Sequence, residues 1–268
     1  MEVSFNDVKY TYPGGVEALK GITFNVPTGQ SLAIVGQNGA GKTTLVRHLN
    51  GIFQPTSGTV TVGDWTTAGH TIAELSARVG YVFQNPDEQL FARKVFDDVA
   101  FGPRNLKFDE EAVASAVTEA LEETGLTKEA QSHPHHLSLS ERKRVALAAV
   151  LAMKTPVVVL DEPTTGQDHN GVRMIASIVK KLREANRTVI AITHDMDFCA
   201  ENFERVIVMA QGEVLADSSP ENVFNLPEVL AKARVEAPQL ERLASSLGWK
   251  SHPMNVDAFV DNLEAKSR

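Results

Sequence analysis

The fold of this chain is decided by the stretch Val35-Gly36-Gln37-Asn38-Gly39-Ala40-Gly41-Lys42-Thr43-Thr44. Its spacing, Gly-x-x-x-x-Gly-Lys-Thr, is that of a phosphate-binding P-loop. An apolar run at residues 32–35 precedes the loop and predicts a buried parallel strand. Residues 44–50 follow with helical spacing that ends at Gly51, a residue type common after helix C-termini. This order of strand, loop and helix is the setting that a true P-loop requires.

The loop is suited to hold a nucleoside triphosphate. Its glycines allow successive N–H groups to turn inward, and the helix N-terminus adds partial positive charge. We expect Lys42 to contact the β- and γ-phosphates and the Thr43 hydroxyl to bind Mg²⁺. The predicted nucleotide contacts extend over the whole loop: Gly36, Gln37, Asn38, Gly39, Ala40, Gly41, Lys42, Thr43 and Thr44.

Two acidic residues follow a second fully apolar run, at residues 157–160. We expect Asp161 to hold Mg²⁺ through its water shell. The carboxylate of Glu162, one residue further on, can polarise an attacking water. Two acids at an ordinary strand-end turn are the alternative, which a P-loop in the same chain disfavours.

Two more polar side chains stand where predicted strands end. Gln84 follows the strand at residues 79–83 and could meet Mg²⁺ or water, although a lone glutamine means little. His194 follows the strand at residues 189–192. Because carboxyl ends of parallel strands share one edge of a sheet, we expect His194 to reach the γ-phosphate. Lys42, Gln84, Glu162 and His194 are therefore the predicted catalytic residues.

The rest of the pattern predicts an α/β fold. We expect a P-loop NTPase (RecA-like) core with an N-terminal antiparallel β subdomain, an inserted helical subdomain and a C-terminal helical extension. The ATP-binding domain is predicted over residues 1–215, with the helical insertion at about 86–153. The extension covers residues 216–268, and its apolar helices are predicted to serve packing or dimer contact.

Inside the insertion, capping residues place two helices. Asp109 is expected to begin a helix that closes at Gly125. Ser138 and Glu141 form an [Ser/Thr]-x-x-Glu capping box for a second helix. Three histidines at residues 133–136 allow either a metal site or a turn, and the proline among them favours the turn.

Composition sets wider bounds. A chain of 268 residues with 43% hydrophobic residues can bury a full core. The net charge of −8 argues against nucleic acid as a partner. The single cysteine, Cys199, excludes an internal disulfide and suits a reducing cytoplasm. No apolar run approaches the roughly 20 residues that cross a bilayer, so we expect a chain that is soluble by itself.

The order of these motifs resembles that of an ABC-type ATPase, the nucleotide-binding subunit of an ATP-driven transporter. The resemblance implies a head-to-tail dimer with two ATP molecules between the subunits, each facing the signature helix of the other subunit. It also implies that Tyr12 stacks on adenine, whereas the local pattern alone favours a half-buried strand aromatic. Further matches are the Q-loop glutamine Gln84, the signature segment 137–141 with Ser138 on the partner's ATP, the D-loop 165–168 and the switch histidine His194.

A finer resemblance begins at the Q-loop. The segments 84–91 and 97–103, and the tail around residues 238–240, are similar to those of energy-coupling-factor and cobalt-type importer ATPases. It implies a second ATPase subunit, often non-identical, a transmembrane coupling subunit and a small membrane protein that binds a vitamin or metal. The chain would then lie at the cytoplasmic face of the membrane. Residues 87–91 would lie near the coupling helix, or form an ordinary acidic helix start.

The departures from the family pattern concern the signature and the D-loop. Leu139, Ser140 and Glu141 stand where the family has Gly, Gly and Gln, and Gln167 replaces a leucine. A Leu side chain obstructs close approach to a phosphate, and Glu141 adds negative charge there. We therefore expect an impaired signature and a heterodimer with one good and one poor ATP site.

Two other functions compete with the importer subunit. One is a soluble ABC-type ATPase without a transporter, which usually brings a tandem second half, a long coiled coil or a basic surface. The other is a regulatory nucleotide-binding subunit with little hydrolysis, favoured by the altered signature and disfavoured by intact Glu162 and His194.

Overall fold

The computed structural model describes residues 1–249 and 253–266, so residues 250–252 and 267–268 of the predicted extension lie outside the described residues. The strands form a four-stranded sheet of order β2-β1-β4-β5 and a six-stranded sheet of order β10-β9-β3-β8-β7-β6. The strands are β1 Val3–Thr11, β2 Glu17–Val26, β3 Ser31–Val35, β4 Ser57–Val62, β5 Trp65–Thr66, β6 Val79–Val82, β7 Val157–Asp161, β8 Thr188–Ile192, β9 Arg205–Ala210 and β10 Glu213–Ser218.

Helices surround these sheets. They are α1 Lys42–Val46, α2 Ile72–Leu75, α3 Val95–Asn105, α4 Glu110–Glu123, α5 Leu139–Ala152, α6 His169–Glu184, α7 Met196–Asn202, α8 Pro220–Phe224, α9 Pro227–Ala233, α10 Gln239–Ser246 and α11 Val256–Lys266. No helix in the described part of the chain is long and apolar enough to cross a bilayer.

The larger sheet positions the candidate site. Strands β6, β7, β8, β3 and β9 run parallel, and β10 pairs antiparallel with β9. The residues of β3, β7 and β8 are buried throughout, as their uninterrupted apolar sequences predict. The carboxyl ends of four adjacent strands therefore lie side by side at one edge. This arrangement confirms the predicted α/β P-loop core.

The smaller sheet is the predicted N-terminal antiparallel subdomain. Strand β1 pairs antiparallel with β2 and β4. Alternate residues of these strands, among them Phe5, Ile22 and Val60, are buried in one cluster with Leu32 and Ile34 of β3. The apolar residues that alternate along these strands therefore pack against one face of the larger sheet.

The inserted helices α3, α4 and α5 pack on the other face, in a cluster that includes Val99, Val117 and Val145 together with Val35 and Leu160. Both predicted caps are present. The Asp109 carboxylate accepts a hydrogen bond from the Ala112 N–H at 2.8 Å. Ser138 and Glu141 form the reciprocal capping box at the start of α5.

The histidine segment forms a turn. Residues Pro134–His136 make one turn of 3₁₀ helix, and His133 Nδ1 accepts a hydrogen bond from the His135 N–H at 3.2 Å. Within residues 1–249 and 253–266, no group of three or more His, Cys, Asp or Glu side chains could hold a metal ion. The histidines belong to the connection before α5.

The helix after the P-loop is shorter than predicted. α1 ends at Val46, whereas helical spacing continues to Asn50 in the sequence. His48 Nδ1 donates to the Thr44 carbonyl at 2.8 Å. In a continuous α-helix this carbonyl would accept from the backbone N–H of residue 48. The His48 N–H bonds instead to the Leu45 carbonyl, which tightens the last turn. Gly51 then turns the chain with a left-handed φ of 76°.

The first part of the predicted extension packs on the core. Strand β10 ends at Ser218, slightly beyond residue 215, where we place the end of the ATP-binding domain. Val223 of α8 and Leu230 of α9 are buried in the same cluster as the inserted helices. The Gln37 N–H of the P-loop donates to the Ala233 carbonyl at 3.1 Å. The end of α9 therefore supports the phosphate loop directly.

Candidate nucleotide-binding site

The predicted site residues converge on one open cleft at the carboxyl edge of the larger sheet. Its walls come from the loop after β3 and from the ends of β6, β7 and β8. All four predicted catalytic residues line it, and the complete lining is Asn38, Gly39, Gly41, Lys42, Thr43, Thr44, Gln84, Asp161, Glu162, Ile192 and His194. Five of the predicted nucleotide-binding residues lie outside this lining: Tyr12, Gly36, Gln37, Ala40 and Ser138.

The glycines of the loop are required by its close contacts. Gly36 has φ 147°, and a Cβ there would lie 2.1 Å from the Met209 carbonyl oxygen. Gly41 has φ 100°, and a Cβ there would lie 2.7 Å from the Ala18 carbonyl oxygen. Any side chain would push the loop away from strands β9 and β2. The loop therefore packs closely against both sheets.

Lys42 supplies a buried cation above the loop. Its Nζ donates to the Gly36 carbonyl at 2.6 Å and to the Gln37 carbonyl at 3.1 Å. Burial lowers the pKa of Lys42, while Glu162 and Asp161 act in the opposite direction. The ammonium is therefore fixed at the loop and faces the two carboxylates across the cleft.

The two carboxylate oxygens of Asp161 differ in their hydrogen bonding. The residue is 2% exposed, and the Tyr81 hydroxyl donates to its Oδ2 at 2.9 Å. Its Oδ1 is buried with no hydrogen-bond partner. Burial raises the pKa of Asp161, and the Tyr81 hydroxyl, Arg47, Thr43 and Lys42 oppose that rise. A buried carboxylate oxygen beside a threonine hydroxyl is a donor set that fits Mg²⁺.

The sequence pattern at residues 79–83 predicts only a strand and assigns no functional role to Tyr81. Its hydroxyl group reaches Asp161 from the neighbouring strand β6, and burial raises its own pKa first of all. A tyrosine in an otherwise apolar strand could have indicated this contact, because a buried tyrosine hydroxyl usually has a polar partner and the neighbouring strand ends in an aspartate.

Glu162 is held in an unusual backbone conformation. Its φ is 52°, in the left-handed region, and its N–H donates to the Ile192 carbonyl at 3.0 Å. Its carboxylate accepts from the His194 N–H at 3.3 Å and lies 3.1 Å from His194 Nε2. Burial raises the pKa of Glu162 to about 7. Such a carboxyl group can take up a proton near neutral pH, as a general base must.

His194 stands opposite Glu162 on the adjacent strand end. Burial lowers its pKa, and the nearby positive charge of Lys42 lowers the pKa further. The imidazole is therefore biased toward the neutral form, which can donate one hydrogen bond and accept another.

Gln84 lines the cleft at the end of β6, and a second glutamine supports its segment. Gln89 Oε1 accepts from the Phe83 N–H at 3.2 Å, and Gln89 Nε2 donates to the Ala146 carbonyl at 2.8 Å. One side chain thus joins the residue before Gln84 to helix α5. This bridge has no local sequence signature, because its two ends are far apart in the chain.

Tyr12 lies beside the loop rather than within the cleft. Its hydroxyl shares a hydrogen bond of 2.7 Å with Thr44 Oγ1. Its ring makes edge contacts with Tyr10 and Phe53 at centroid distances of 5.0 Å and 5.7 Å. The ring is half-buried next to a residue that lines the cleft, so both interpretations of Tyr12 remain predictions.

The signature residue Ser138 lies apart from this chain's own cleft. Its N–H and its hydroxyl both donate to Glu141 Oε2, at 2.8 Å and 2.7 Å. These contacts lower the pKa of Glu141, with the Ser138 hydroxyl first. The carboxylate therefore occupies the donors at the first turn of α5.

A glycine-rich phosphate loop, a buried lysine, an available aspartate oxygen and a glutamate that titrates near neutrality define a P-loop ATPase. Comparison with known proteins specifies the group. The family model described as ABC transporter matches residues 19–165, and the chain belongs to this family.

Individual relatives show which members of the ABC transporter family this chain is similar to. The chain is 44% identical to the energy-coupling factor transporter ATP-binding protein EcfA1 of Methanospirillum hungatei, covering 92% of this chain and 90% of the relative. It is 42% identical to EcfA of Methanosphaera stadtmanae, covering 96% of each. Among solved structures, cbiO1 from Clostridium perfringens, part of the ABC transporter complex cbiONQ, superposes with a TM-score of 0.75 at 37% identity, covering 92% of this chain and 98% of that one. The chain binds ATP, and its ATP hydrolysis is coupled to transport.

Proposed function

We propose that this chain is the ATP-hydrolysing subunit of an energy-coupling-factor importer that takes up a vitamin or a transition metal. It works at the cytoplasmic face of the membrane, where other subunits hold it. The observation that carries the proposal is the convergence of Lys42, Gln84, Glu162 and His194 on one cleft, in a chain similar to EcfA proteins over nearly its whole length.

The cleft residues divide the work of hydrolysis. The loop amides and Lys42 bind the triphosphate, and Tyr12 contacts the adenine. Asp161, Thr43 and Gln84 would hold Mg²⁺, which would supply positive charge to neutralise the phosphoryl oxygens. Glu162 accepts the proton of the attacking water. His194, hydrogen-bonded to Glu162 through its backbone, contacts the γ-phosphate.

The proposed membrane contact is a groove between the core and the inserted helices. Ile52, Ile72, Phe91, Phe101 and Met153 contribute its apolar surface. Phe91 and Phe101 are 64% and 51% exposed, and their rings form a T-shaped pair with a centroid distance of 4.8 Å. Exposed aromatic side chains that are paired in this way favour an apolar partner.

The backbone before α3 fixes Phe91 in the groove. Asp98 Oδ1 accepts from the N–H groups of Phe91 and Ala92, both at 3.0 Å. We propose that a short cytoplasmic helix of the transmembrane coupling subunit occupies the groove. The position of Phe91 in the groove supports the prediction that residues 87–91 lie near this coupling helix. A small membrane protein that binds the solute completes the assembly.

We further propose that the second ATPase subunit is non-identical. Leu139 stands at the first residue of α5, 49% exposed, where a glycine would allow a phosphate to approach. Glu141 already occupies the Ser138 donors. A triphosphate on the partner would therefore meet an obstructed and negatively charged helix start. The resulting heterodimer has one good ATP site and one poor site.

The test uses the chain assembled with its second ATPase and its membrane subunits in vesicles. Glu162→Gln should leave ATP binding intact and nearly abolish hydrolysis at this chain's site, whereas the exposed control Glu111→Gln should hydrolyse ATP like the wild type. ATP hydrolysis without solute uptake by the wild-type complex would favour a non-transport ATPase. Binding without hydrolysis would favour a regulatory subunit.

The groove and the signature have separate tests. Phe91→Asp should release the chain from the membrane subunits, and Val16→Asp, which is also 64% exposed, should not. Leu139→Gly alone should raise hydrolysis by the complex. Unchanged hydrolysis after Leu139→Gly would show that the signature is not limiting.

A further inference from the structure

Two of the departures from the family pattern are bonded to each other. The Ser140 hydroxyl donates to Gln167 Oε1 at 2.8 Å, and Gln167 Nε2 donates to the Ser140 carbonyl at 3.2 Å. Ser140 lies in the first turn of α5, and Gln167 lies in the loop between β7 and α6. The carboxamide therefore spans the inserted helices and the core with two hydrogen bonds.

A third hydrogen bond strengthens the same junction. Lys143 Nζ donates to the Glu162 carbonyl at 3.3 Å. Ser140 and Lys143 are three residues apart on α5, so they lie on one face of the helix. This face contacts both ends of one loop, which carries the proposed base Glu162 and the D-loop residue Gln167.

The loop is built to hold the carboxamide in place. A Cβ at Gly171 would lie 2.6 Å from Gln167 Oε1, so the glycine allows the carboxamide to lie close to the start of α6. The Gln167 N–H donates to the Thr164 carbonyl at 3.1 Å. Asp168 then caps α6 by accepting from the Gly171 N–H at 2.8 Å. Gln167 therefore points from a fixed turn toward α5.

We propose that Ser140 and Gln167 are matched positioning residues, which hold the signature turn of α5 against the D-loop and so set where Ser138 meets the partner's ATP. A leucine at 167 could neither donate nor accept, and a glycine at 140 would lack the hydroxyl. The two departures thus compensate each other. This inference rests on the proposed function, because it assigns the start of α5 to the partner's nucleotide.

The experiment is a double-mutant cycle on the assembled complex, with Ser140→Ala, Gln167→Leu and the pair combined. Alanine removes the hydroxyl and retains helix propensity. We expect each single variant to lower kcat at the partner's ATP site about fivefold to tenfold, as the loss of one or two hydrogen bonds would, with unchanged ATP binding by the isolated chain. This residual kcat is measured in a complex in which Glu162→Gln silences the site of this chain. The combined variant should be no worse than Gln167→Leu alone. Ser140→Thr, which keeps the hydroxyl, should retain most of the activity, and Ser115→Ala on exposed α4 is the control.

Losses that multiply in the combined variant, or single variants with wild-type kcat, would overturn the pairing. If Gln167→Leu reduces the yield of folded chain, the comparison of Ser140→Ala with Ser140→Thr decides, since equal kcat for both would also overturn it. A wild-type complex that neither hydrolyses ATP nor takes up solute would instead refute the proposed function. The two failures are therefore distinguishable.

Discussion

Tyr81→Phe should weaken the use of Mg²⁺ without altering the shape of the site. The substitution removes only the hydroxyl that donates to Asp161 Oδ2 at 2.9 Å. Asp161 is 2% exposed, so water does not readily replace the lost donor. Removing a group that orients a metal ligand typically costs 10-fold to 100-fold in metal affinity. We expect about a tenfold rise in the Mg²⁺ concentration for half-maximal activity, equivalent to about 1.4 kcal/mol.

The effect should grow as the pH falls. Burial already raises the pKa of Asp161, and the Tyr81 hydroxyl opposes that rise. Without the hydroxyl the pKa of Asp161 rises further, and a protonated carboxyl group does not bind a metal ion. A lower pH therefore places more of the variant in the form that cannot bind Mg²⁺.

The assay is a Mg²⁺ titration of ATPase activity by the complex at pH 6 and pH 8, together with Mg²⁺-dependent nucleotide binding measured by calorimetry. Tyr10→Phe removes a phenol hydroxyl from β1, away from Asp161, and serves as the control. Identical Mg²⁺ dependence of Tyr81→Phe and wild type at both pH values would refute the role of Tyr81.

Three further outcomes are expected. The pKa of Glu162 is about 7 in the folded chain and has an ordinary value of 4.5, so between these pH values the folded chain binds more protons at Glu162 than the unfolded chain. The free energy of unfolding of the nucleotide-free protein should therefore fall as the pH rises through this range. Glu162→Gln should flatten this dependence in denaturant titrations. Gly36→Ala should abolish ATP binding and lower the free energy of unfolding by about 2 kcal/mol or more, because the new Cβ would lie 2.1 Å from the Met209 carbonyl oxygen. The control Gly14→Ala has open space around its Cβ and should change neither ATP binding nor stability. Gln89→Leu should retain ATP binding by the isolated chain but reduce solute uptake per ATP hydrolysed, and an unchanged ratio would contradict the bridge to α5.

Local sequence patterns were sufficient for the cleft. The P-loop spacing, together with apolar runs that end in Asp161, His194 or Gln84, places these residues at one edge because parallel strands share their direction. The cap of α5 was equally readable, since Ser138 and Glu141 are three residues apart.

The supporting contacts could not be predicted in the same way. Tyr81 with Asp161, Gln89 with Ala146 and Ser140 with Gln167 are pairs distant in sequence, and their contact depends on how the elements pack. The shortened α1 has a similar cause, because the His48 side chain takes a carbonyl that helix propensity assigns to the backbone. In the sequence, Ser140 and Gln167 each depart from the family pattern independently, so the pattern gives no sign that the two residues are bonded to each other.

The bond between Gln37 and the carbonyl of Ala233 has a practical consequence for shortened versions of this protein. Deleting the chain from α9 onward would remove an anchor of the glycine loop as well as the exposed apolar helices behind it. A truncation meant to leave only the nucleotide-binding unit should therefore retain residues through Val235, whose own N–H closes the end of α9 on Leu230.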